Sequence, residues 1–213
     1  MIKAILWDND GVLVDTEHLY FRATREILAT VDIDLTPEMY IDLFLTQDRG
    51  AWHLPAERGH APEAIAQMRD ERDTRFAHYL DHEPLLIEGV EETLTQLGQT
   101  YQMGIVTSSR RDNFERIHRR TGLLKYFAFS LTSDDYEKYK PHPQPYLRGQ
   151  ARIGYPKEQC IVIEDSQRWL IAATRAGIKC LVIPNHMTHS SDFSQAHAVL
   201  ESITQVPEAL QKI

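Results

Sequence analysis

Short apolar runs alternate with longer amphipathic stretches along this chain. The apolar runs, each of strand length, lie at 2–7, 103–107, 127–131, 160–163 and 179–183, with a weaker one at 198–200. Stretches with the periodicity of amphipathic helices lie between them, at about 110–120, 144–152, 167–176 and 204–211. Strands that alternate with helices in this way predict an α/β fold, a doubly wound parallel sheet with helices on its faces.

The interval between the first two predicted strands is too long for one crossover helix. It contains helical patterns at about 17–30, 37–45 and 62–82 and no convincing strand, and a further helix at about 89–98 leads back to the sheet. We therefore predict a Rossmann-like core formed by 1–15 and 89–213. An all-helical domain, 16–88, is inserted after the first strand, with hinges near 14–16 and 84–89.

Composition and charge exclude several classes of function. The 213 residues carry a net charge of −8, whereas general nucleic-acid binding needs a basic surface. No apolar stretch approaches the ~20 residues that span a bilayer, so we expect no membrane association. Asp8 and Asp10 interrupt any signal-peptide core, and Cys160 and Cys180 are expected to be buried free thiols. We expect a monomer in the reducing cytoplasm.

Two carboxylates come directly after the first apolar run, in the motif Asp8-x-Asp10-Gly11. Strand side chains alternate, so Asp8 and Asp10 point to the same side, at the end of a strand where open α/β sheets bind ligands. Like charges this close need a raised pKa, a cationic side chain or a hard metal ion. The motif fits a catalytic pair, in which one acid attacks and the other serves the leaving group, and it also fits a polar Asp-Gly turn.

Three further polar motifs follow later predicted strands. Thr107-Ser108-Ser109 precedes a helix and fits an anion site or an ordinary helix cap. Lys140-Pro141 fits a lysine held toward an anion or a solvated loop lysine. Glu164-Asp165-Ser166 fits a pair of metal ligands or a helix cap. Because a parallel sheet brings the carboxyl ends of its strands together, the motifs jointly supply the groups that bind Mg²⁺ and a phosphate.

In this order the motifs resemble those of the haloacid dehalogenase superfamily of phosphatases and phosphomutases: Asp8-x-Asp10-Gly11, Thr107-Ser108, Lys140-Pro141 and Glu164-Asp165-Ser166. The helical insert is similar to that of the small-cap subgroup, which includes phosphoglycolate phosphatase and β-phosphoglucomutase. The resemblance covers nearly the whole chain. It implies a Mg²⁺-dependent phosphatase that hydrolyses a small phosphorylated metabolite through an aspartyl-phosphate, and the acid at Asp10 favours phosphoryl transfer over dehalogenation.

The resemblance also implies roles for individual residues. Asp8 would be the nucleophile, and Asp10 would be the general acid for the leaving group and then the base for water. Thr107, Ser108 and Lys140 would bind the phosphoryl oxygens.

The implied Mg²⁺ site combines side chains with one backbone group. Asp8 and Asp165 would ligate the ion together with the backbone carbonyl of Asp10. Glu164 would act through a water or support the ligands from behind. Mg²⁺ prefers such oxygen ligands and keeps several waters.

Two core residues depart from the family pattern. Asn9 stands where an apolar residue is usual, and its side chain would face the insert or bond locally. Trp169 stands where a small residue is usual, and it would fill space beside the metal loop or narrow the site. Neither change removes a catalytic group.

Substrate choice is expected to lie in the insert. The segment 47–53 breaks the helical pattern and offers Arg49, Trp52 and His53, which would contact the substrate or form a turn between helices. Tyr20 stands where β-phosphoglucomutase has a histidine that assists sugar-phosphate exchange, which lowers the weight of a phosphomutase without excluding it. A phospho-receiver signalling module, usually much shorter, and an inactive scaffold are the remaining alternatives.

Overall fold

Six parallel strands form the sheet that organises this chain, in a computed structural model that describes residues 1–47 and 49–213. The strands are β1 (Ala4–Trp7), β2 (Gln102–Val106), β3 (Phe129–Leu131), β4 (Cys160–Glu164), β5 (Lys179–Val182) and β6 (Ala198–Val199). Their order across the sheet is β3-β2-β1-β4-β5-β6, and every neighbouring pair is parallel. The chain winds outward from β1 in both directions, so the predicted doubly wound fold is confirmed.

Except for α3, the α-helices of the described residues lie in the helical stretches predicted from the sequence. They are α1 (Glu17–Ala29), α2 (Pro37–Tyr40), α3 (His53–Glu57), α4 (Pro62–His82), α5 (Val90–Leu97), α6 (Arg111–Thr121), α7 (Gln144–Ile153), α8 (Gln167–Ala176) and α9 (Val206–Gln211). A π-helical segment, Ile41–Thr46, continues α2. Among the described helices there is none whose length and hydropathy would let it cross a membrane.

Helices cover both faces of the sheet, which explains why its strands are mostly apolar. Along β1, Ile5 and Trp7 join the hydrophobic cluster that includes residues of α5, α6 and α9. Ala4 and Leu6 join the opposite cluster, which includes residues of α7 and α8. This alternation is the period of two expected for a strand buried on both sides. Cys160 and Cys180 lie in the second cluster as buried free thiols, as predicted.

The chain separates into two compact units. One consists of Met1–Asp15 and Leu85–Ile213 and contains the sheet. The other is Thr16–Pro84, and its described residues form helices and loops. Asp48, which belongs to the segment 47–53 singled out from the sequence, lies outside the described residues.

The second junction between the units lies at 84/85, four residues before the position predicted from the sequence. Backbone pairing is the reason. The Asp15 N–H donates to the Leu85 carbonyl oxygen at 2.8 Å, and Val14 and Leu86 form an antiparallel bridge. These contacts tie 85–88 to the loop after β1, and helical periodicity contains no sign of such a short pairing.

The helical unit is organised around α1 and α4. Glu26 of α1 is the central acceptor between these helices: Arg75 lies 3.0 Å from Glu26 Oε2 and the Tyr79 hydroxyl donates to the same oxygen at 2.6 Å. Part of the charged stretch 69–75 of α4 therefore packs against α1. A mixed run of charges usually forms a solvated face, and only part of this stretch does so.

Candidate active site

Polar side chains meet where the central strands of the sheet end. β1 pairs with β2 on one side and with β4 on the other. Asp8 follows β1, Thr107 follows β2, and Glu164 is the last residue of β4. The Asp8 N–H donates to the Ile163 carbonyl at 2.9 Å, so the ladder continues into the site. Asp8 and Thr107 have no exposed surface and Glu164 has none either, so their charges and dipoles act in a dry environment.

Lys140 extends from the loop before α7 to the carboxyl ends of these strands, where it binds two of the acids. Its Nζ donates to Asp8 Oδ1 at 3.0 Å and to Glu164 Oε1 at 2.9 Å. A third bond goes to the Val106 carbonyl at 3.2 Å. All three N–H groups of the ammonium therefore have protein acceptors. The solvated-lysine alternative is wrong, because Lys140 is 1% exposed.

Trp169 covers the lysine from α8. The Lys140 Nζ lies 3.5 Å from the centroid of the Trp169 ring and 4.7 Å from that of Tyr146. Aromatic faces attract a cation most strongly where water is excluded. Trp169 therefore helps to hold a buried ammonium beside the acids.

Burial and repulsion shift the pKa values of the three charged groups. Burial, together with repulsion from Asp10, raises the pKa of Asp8 to about 7 despite the nearby Lys140 ammonium. Burial and the charge of Asp8 raise the pKa of Glu164 well above its usual range. Burial alone would lower the pKa of Lys140, but Asp8 and Glu164 outweigh it and the net shift is upward. The lysine thus stays charged, but its single positive charge does not balance the nearby carboxylates.

Asp8, Glu164 and Asp165 form a buried cluster that could hold a metal ion. Each offers a carboxylate oxygen, and these oxygens lie within 4.8 Å of one another. Asp8 Oδ2 is buried and has no hydrogen-bond partner among residues 1–47 and 49–213. An orphaned carboxylate oxygen in an all-oxygen cluster fits a hard divalent cation such as Mg²⁺. Glu164 lies within the cluster itself, and its action through a water or as support behind the ligands stays a prediction.

Asn185 and Gly11 shape the position of Asp165. Asn185 Nδ2 donates to Asp165 Oδ2 at 2.8 Å. Gly11 has φ of +83°, and a Cβ at this position would lie 2.2 Å from Asp165 Oδ2. Only glycine therefore allows both the turn after Asp10 and the close approach of Asp165.

Asp10 makes its hydrogen bonds with a different set of side chains. Its Oδ2 accepts from the hydroxyls of Ser109 at 2.6 Å and Thr107 at 3.2 Å. It also accepts from Asn9 Nδ2 at 3.3 Å. The Thr107 Oγ1 in turn accepts from the Ser109 N–H at 3.0 Å. Thr107 thus donates its hydroxyl hydrogen bond to Asp10 in this structure. That Thr107 and the half-buried Ser108 bind phosphoryl oxygens remains a prediction.

Three residues of this network were not singled out as site residues by the sequence. Ser109 had a signal, because it belongs to the same polar motif as Thr107. Asn185 had a weaker one, since it follows the end of β5. His118 had none: it lies in the last turn of α6, and its Nε2 is 2.9 Å from Asn9 Oδ1. Of the alternatives for Asn9, the local bond is present, to its neighbour Asp10, and a second bond joins it to the distant His118 within the sheet unit.

Three of the four candidate residues in the insert share one cavity. Arg49, Trp52 and His53 line a cavity of about 550 Å³ within the helical unit. Tyr20 packs edge-on against Phe76, with ring centroids 5.1 Å apart. Arg72 connects the two groups, because its guanidinium lies 4.2 Å from the Tyr20 ring centroid and 5.5 Å from that of Trp52.

Comparison with known proteins agrees with the geometry. The profile of a family described as haloacid dehalogenase-like hydrolases matches residues 5–183. YhcW of Bacillus subtilis (strain 168) is 31% identical over 217 residues, which cover 99% of this chain and 96% of YhcW. The phosphorylated carbohydrates phosphatase of Thermotoga maritima is 29% identical over 184 residues, which cover 84% of this chain and 83% of that protein. The crystal structure of CbbY from Rhodobacter sphaeroides in complex with phosphate superposes with a TM-score of 0.80 at 27% identity, covering 97% of this chain and 96% of CbbY. As its motifs predict, this chain belongs to the haloacid dehalogenase-like hydrolases and is an enzyme that acts on phosphate esters.

Proposed function

We propose that this enzyme is a Mg²⁺-dependent phosphatase that hydrolyses small phosphorylated metabolites through a phosphorylated Asp8. The observation that carries the proposal is the setting of Asp8. It is fully buried, one oxygen is bound by Lys140, and the other has no hydrogen-bond partner in the described part of the chain. A carboxylate held in this way, beside two further acids and a lysine, suits attack on a phosphoryl group whose charge must be offset.

Asp8, Glu164 and Asp165 are the side chains that would hold Mg²⁺, with the backbone carbonyl of Asp10 as the further ligand implied by the family. When bound, the ion would supply positive charge to the phosphoryl oxygens and to the crowded acids. Carboxylate oxygens favour hard ions such as Mg²⁺, whereas soft metals prefer sulfur ligands. Lys140 alone is too little charge for the acids around it, which agrees with the raised pKa of Asp8.

The residues divide two proton-coupled steps between them. In the first step Asp8 attacks phosphorus while Asp10 gives a proton to the departing oxygen. In the second step Asp10 takes a proton from the water that attacks the phosphorylated Asp8. Lys140 holds Asp8 in place throughout, and Thr107 and Ser108 bind the phosphoryl oxygens from the end of β2.

Phosphorylated carbohydrates are the substrate class that we propose first, since a relative with 29% identity is named for them. We further propose that Arg49, Trp52 and His53 select among them. They offer a cation, an apolar ring and an imidazole in one cavity. Arg49→Ala and Trp52→Ala are expected to change the ranking of substrates by kcat/KM while the Mg²⁺ requirement stays the same.

The test is phosphate release from a panel of phosphate monoesters, with Mg²⁺ and with EDTA, by the wild type and by Asp8→Asn. We expect Mg²⁺-dependent release that disappears in Asp8→Asn. Wild type that releases no phosphate from any ester would contradict the proposal. So would transfer of the phosphoryl group to a second sugar phosphate in preference to water, because that result identifies a phosphomutase.

A further inference from the structure

Asn9 is a fully buried amide between the two acids of the first motif. Its carboxamide makes one hydrogen bond with each of two partners. Oδ1 lies 2.9 Å from His118 Nε2, and Nδ2 donates to Asp10 Oδ2 at 3.3 Å. The two bonds join the loop after β1 to α6 within the sheet unit.

The directions of these bonds follow from the acid. Asp10 Oδ2 already accepts from the hydroxyls of Thr107 and Ser109, so Asn9 presents Nδ2 to it as a further donor and Oδ1 to the other side. His118 must then donate from Nε2, which leaves Nδ1 to accept from the Thr121 hydroxyl at 3.2 Å. His118 is 3% exposed, and burial lowers its pKa to about 4, against the opposing charge of Asp10. The ring is therefore neutral near pH 7, as the single tautomer requires.

Two elements consequently hold the same oxygen of Asp10. The loop after β2 supplies the hydroxyls of Thr107 and Ser109, and α6 supplies His118 through Asn9. A single amide bond of 3.3 Å is modest. Its donor is nevertheless fixed from behind by a buried ring, so the carboxylate loses freedom to rotate.

We propose that Asn9, anchored by His118, is a positioning residue that orients Asp10 for proton transfer to the departing oxygen. The inference rests on the proposed function, because it assumes that Asp10 is the acid. As the bond from Asp8 to phosphorus forms, the bond from phosphorus to the ester oxygen breaks, and Asp10 gives its proton to that oxygen. In this first step, misorientation of Asp10 should therefore slow the release only of leaving groups that need the proton.

The leaving group provides the test. An alkyl phosphate, such as the best sugar phosphate of the panel, expels a strongly basic oxygen, whereas p-nitrophenyl phosphate expels a weakly basic one. Single-turnover rates of leaving-group release, which report the first step alone, are measured for both esters in the wild type, Asn9→Leu, His118→Gln, His118→Leu and Asn9→Leu/His118→Leu. Urea unfolding of each variant separates positioning from folding.

We expect Asn9→Leu to lower the rate with the alkyl ester by about 10-fold or more and to leave the rate with p-nitrophenyl phosphate within about two-fold. KM for the alkyl ester should hardly change. His118→Gln keeps a donor near the position of Nε2 and should retain most of the rate, whereas His118→Leu should not. The double variant replaces the polar pair by an apolar one. It should regain stability relative to Asn9→Leu without regaining the rate.

Several outcomes would contradict the inference. A double variant with the wild-type ratio of the two rates would make the pair structural only. An equal loss with both esters would place the effect outside proton transfer. A His118→Gln variant as slow as His118→Leu would remove the role of the donor. Wild type without turnover on either ester would overturn the proposed function and this inference together, whereas an unaffected Asn9→Leu overturns the inference alone.

Discussion

At the scale of single residues, Gly11 shows how a backbone position controls a carboxylate from another strand. Its φ of +83° already favours glycine, and Gly154 at the end of α7 has nearly the same φ, +80°. The two differ in their surroundings. A Cβ at Gly11 would lie 2.2 Å from Asp165 Oδ2, whereas a Cβ at Gly154 would have no heavy atom of the described residues within 4 Å.

Gly11→Ala and Gly154→Ala are therefore a matched pair. Both should lose about 1–2 kcal/mol of unfolding free energy, because alanine is strained at positive φ. Only Gly11→Ala should displace Asp165, so its half-saturating Mg²⁺ concentration should rise by about 10-fold or more. Thermal melts over a Mg²⁺ series measure both quantities. Equal Mg²⁺ requirements in the two variants would contradict the prediction.

His118 should make stability depend on pH. The pKa of this ring is about 4 in the folded chain, against an ordinary value of 6.5, chiefly because of burial. Between these values the unfolded chain binds a proton that the folded chain does not, so stability rises with pH across the window. The difference in unfolding free energy between wild type and His118→Gln should grow by up to ~3 kcal/mol from pH 4 to pH 6.5 and then level off. Urea melts at several pH values test this, and a constant difference would contradict it.

At the scale of elements, the close approach of α7 to the sheet holds the loop that carries Lys140. Gly149 makes this possible: a Cβ there would lie 2.7 Å from Val106 Cγ2 and 3.4 Å from the Leu6 side chain. Both neighbours are fully buried in the core, where little room exists for adjustment.

Gly149→Ala should push α7 away from β1 and β2. Alanine favours a helix over glycine, but overpacking costs about 1–3 kcal/mol and should exceed that gain. We expect lower stability and, because the loop before α7 moves with it, a lower kcat. Denaturant melts and steady-state kinetics measure the two effects, with Gly154→Ala on the same helix as the control. A more stable Gly149→Ala variant would show that the core yields.

The elements also show what the sequence can and cannot predict. The strand ends that carry Asp8, Thr107 and Glu164 are predictable, because each apolar run stops at a polar residue and parallel strands bring such ends together. The partners of those side chains are harder. No local pattern shows that Lys140 binds both Asp8 and Glu164, or that His118 in the last turn of a helix reaches Asn9, since both depend on packing between distant segments. The junction at 84/85 lies within the predicted hinge 84–89, and its exact place depends on the pairing of 85–88 with the loop after β1.

At the scale of the whole molecule, the sheet unit concentrates acidic side chains at the carboxyl ends of its central strands. Asp8, Glu164 and Asp165 lie together with Lys140 as the cation bound to two of them. Burial raises the pKa of Asp8 to about 7 and that of Glu164 well above its usual range. The folded, metal-free chain therefore keeps a proton that the unfolded chain has already lost.

This difference predicts how pH and Mg²⁺ act together. A carboxyl whose pKa is raised on folding contributes stability that is lost as pH rises, here from about 4, the unfolded value, to about 7, the folded one. The metal-free wild type should thus lose stability relative to Asp8→Asn across this window. Mg²⁺ competes with the proton for the same oxygens, so its stabilisation should be small at pH 5 and larger at pH 8, reaching about 2.7 kcal/mol at one hundred times its Kd. Thermal melts of both proteins at the two pH values, with Mg²⁺ and with EDTA, measure it.

Asp165→Asn is the control variant, which should weaken the Mg²⁺ effect while keeping the pH slope of Asp8. A Mg²⁺ effect equal at both pH values would mean that the ion does not bind at these carboxylates.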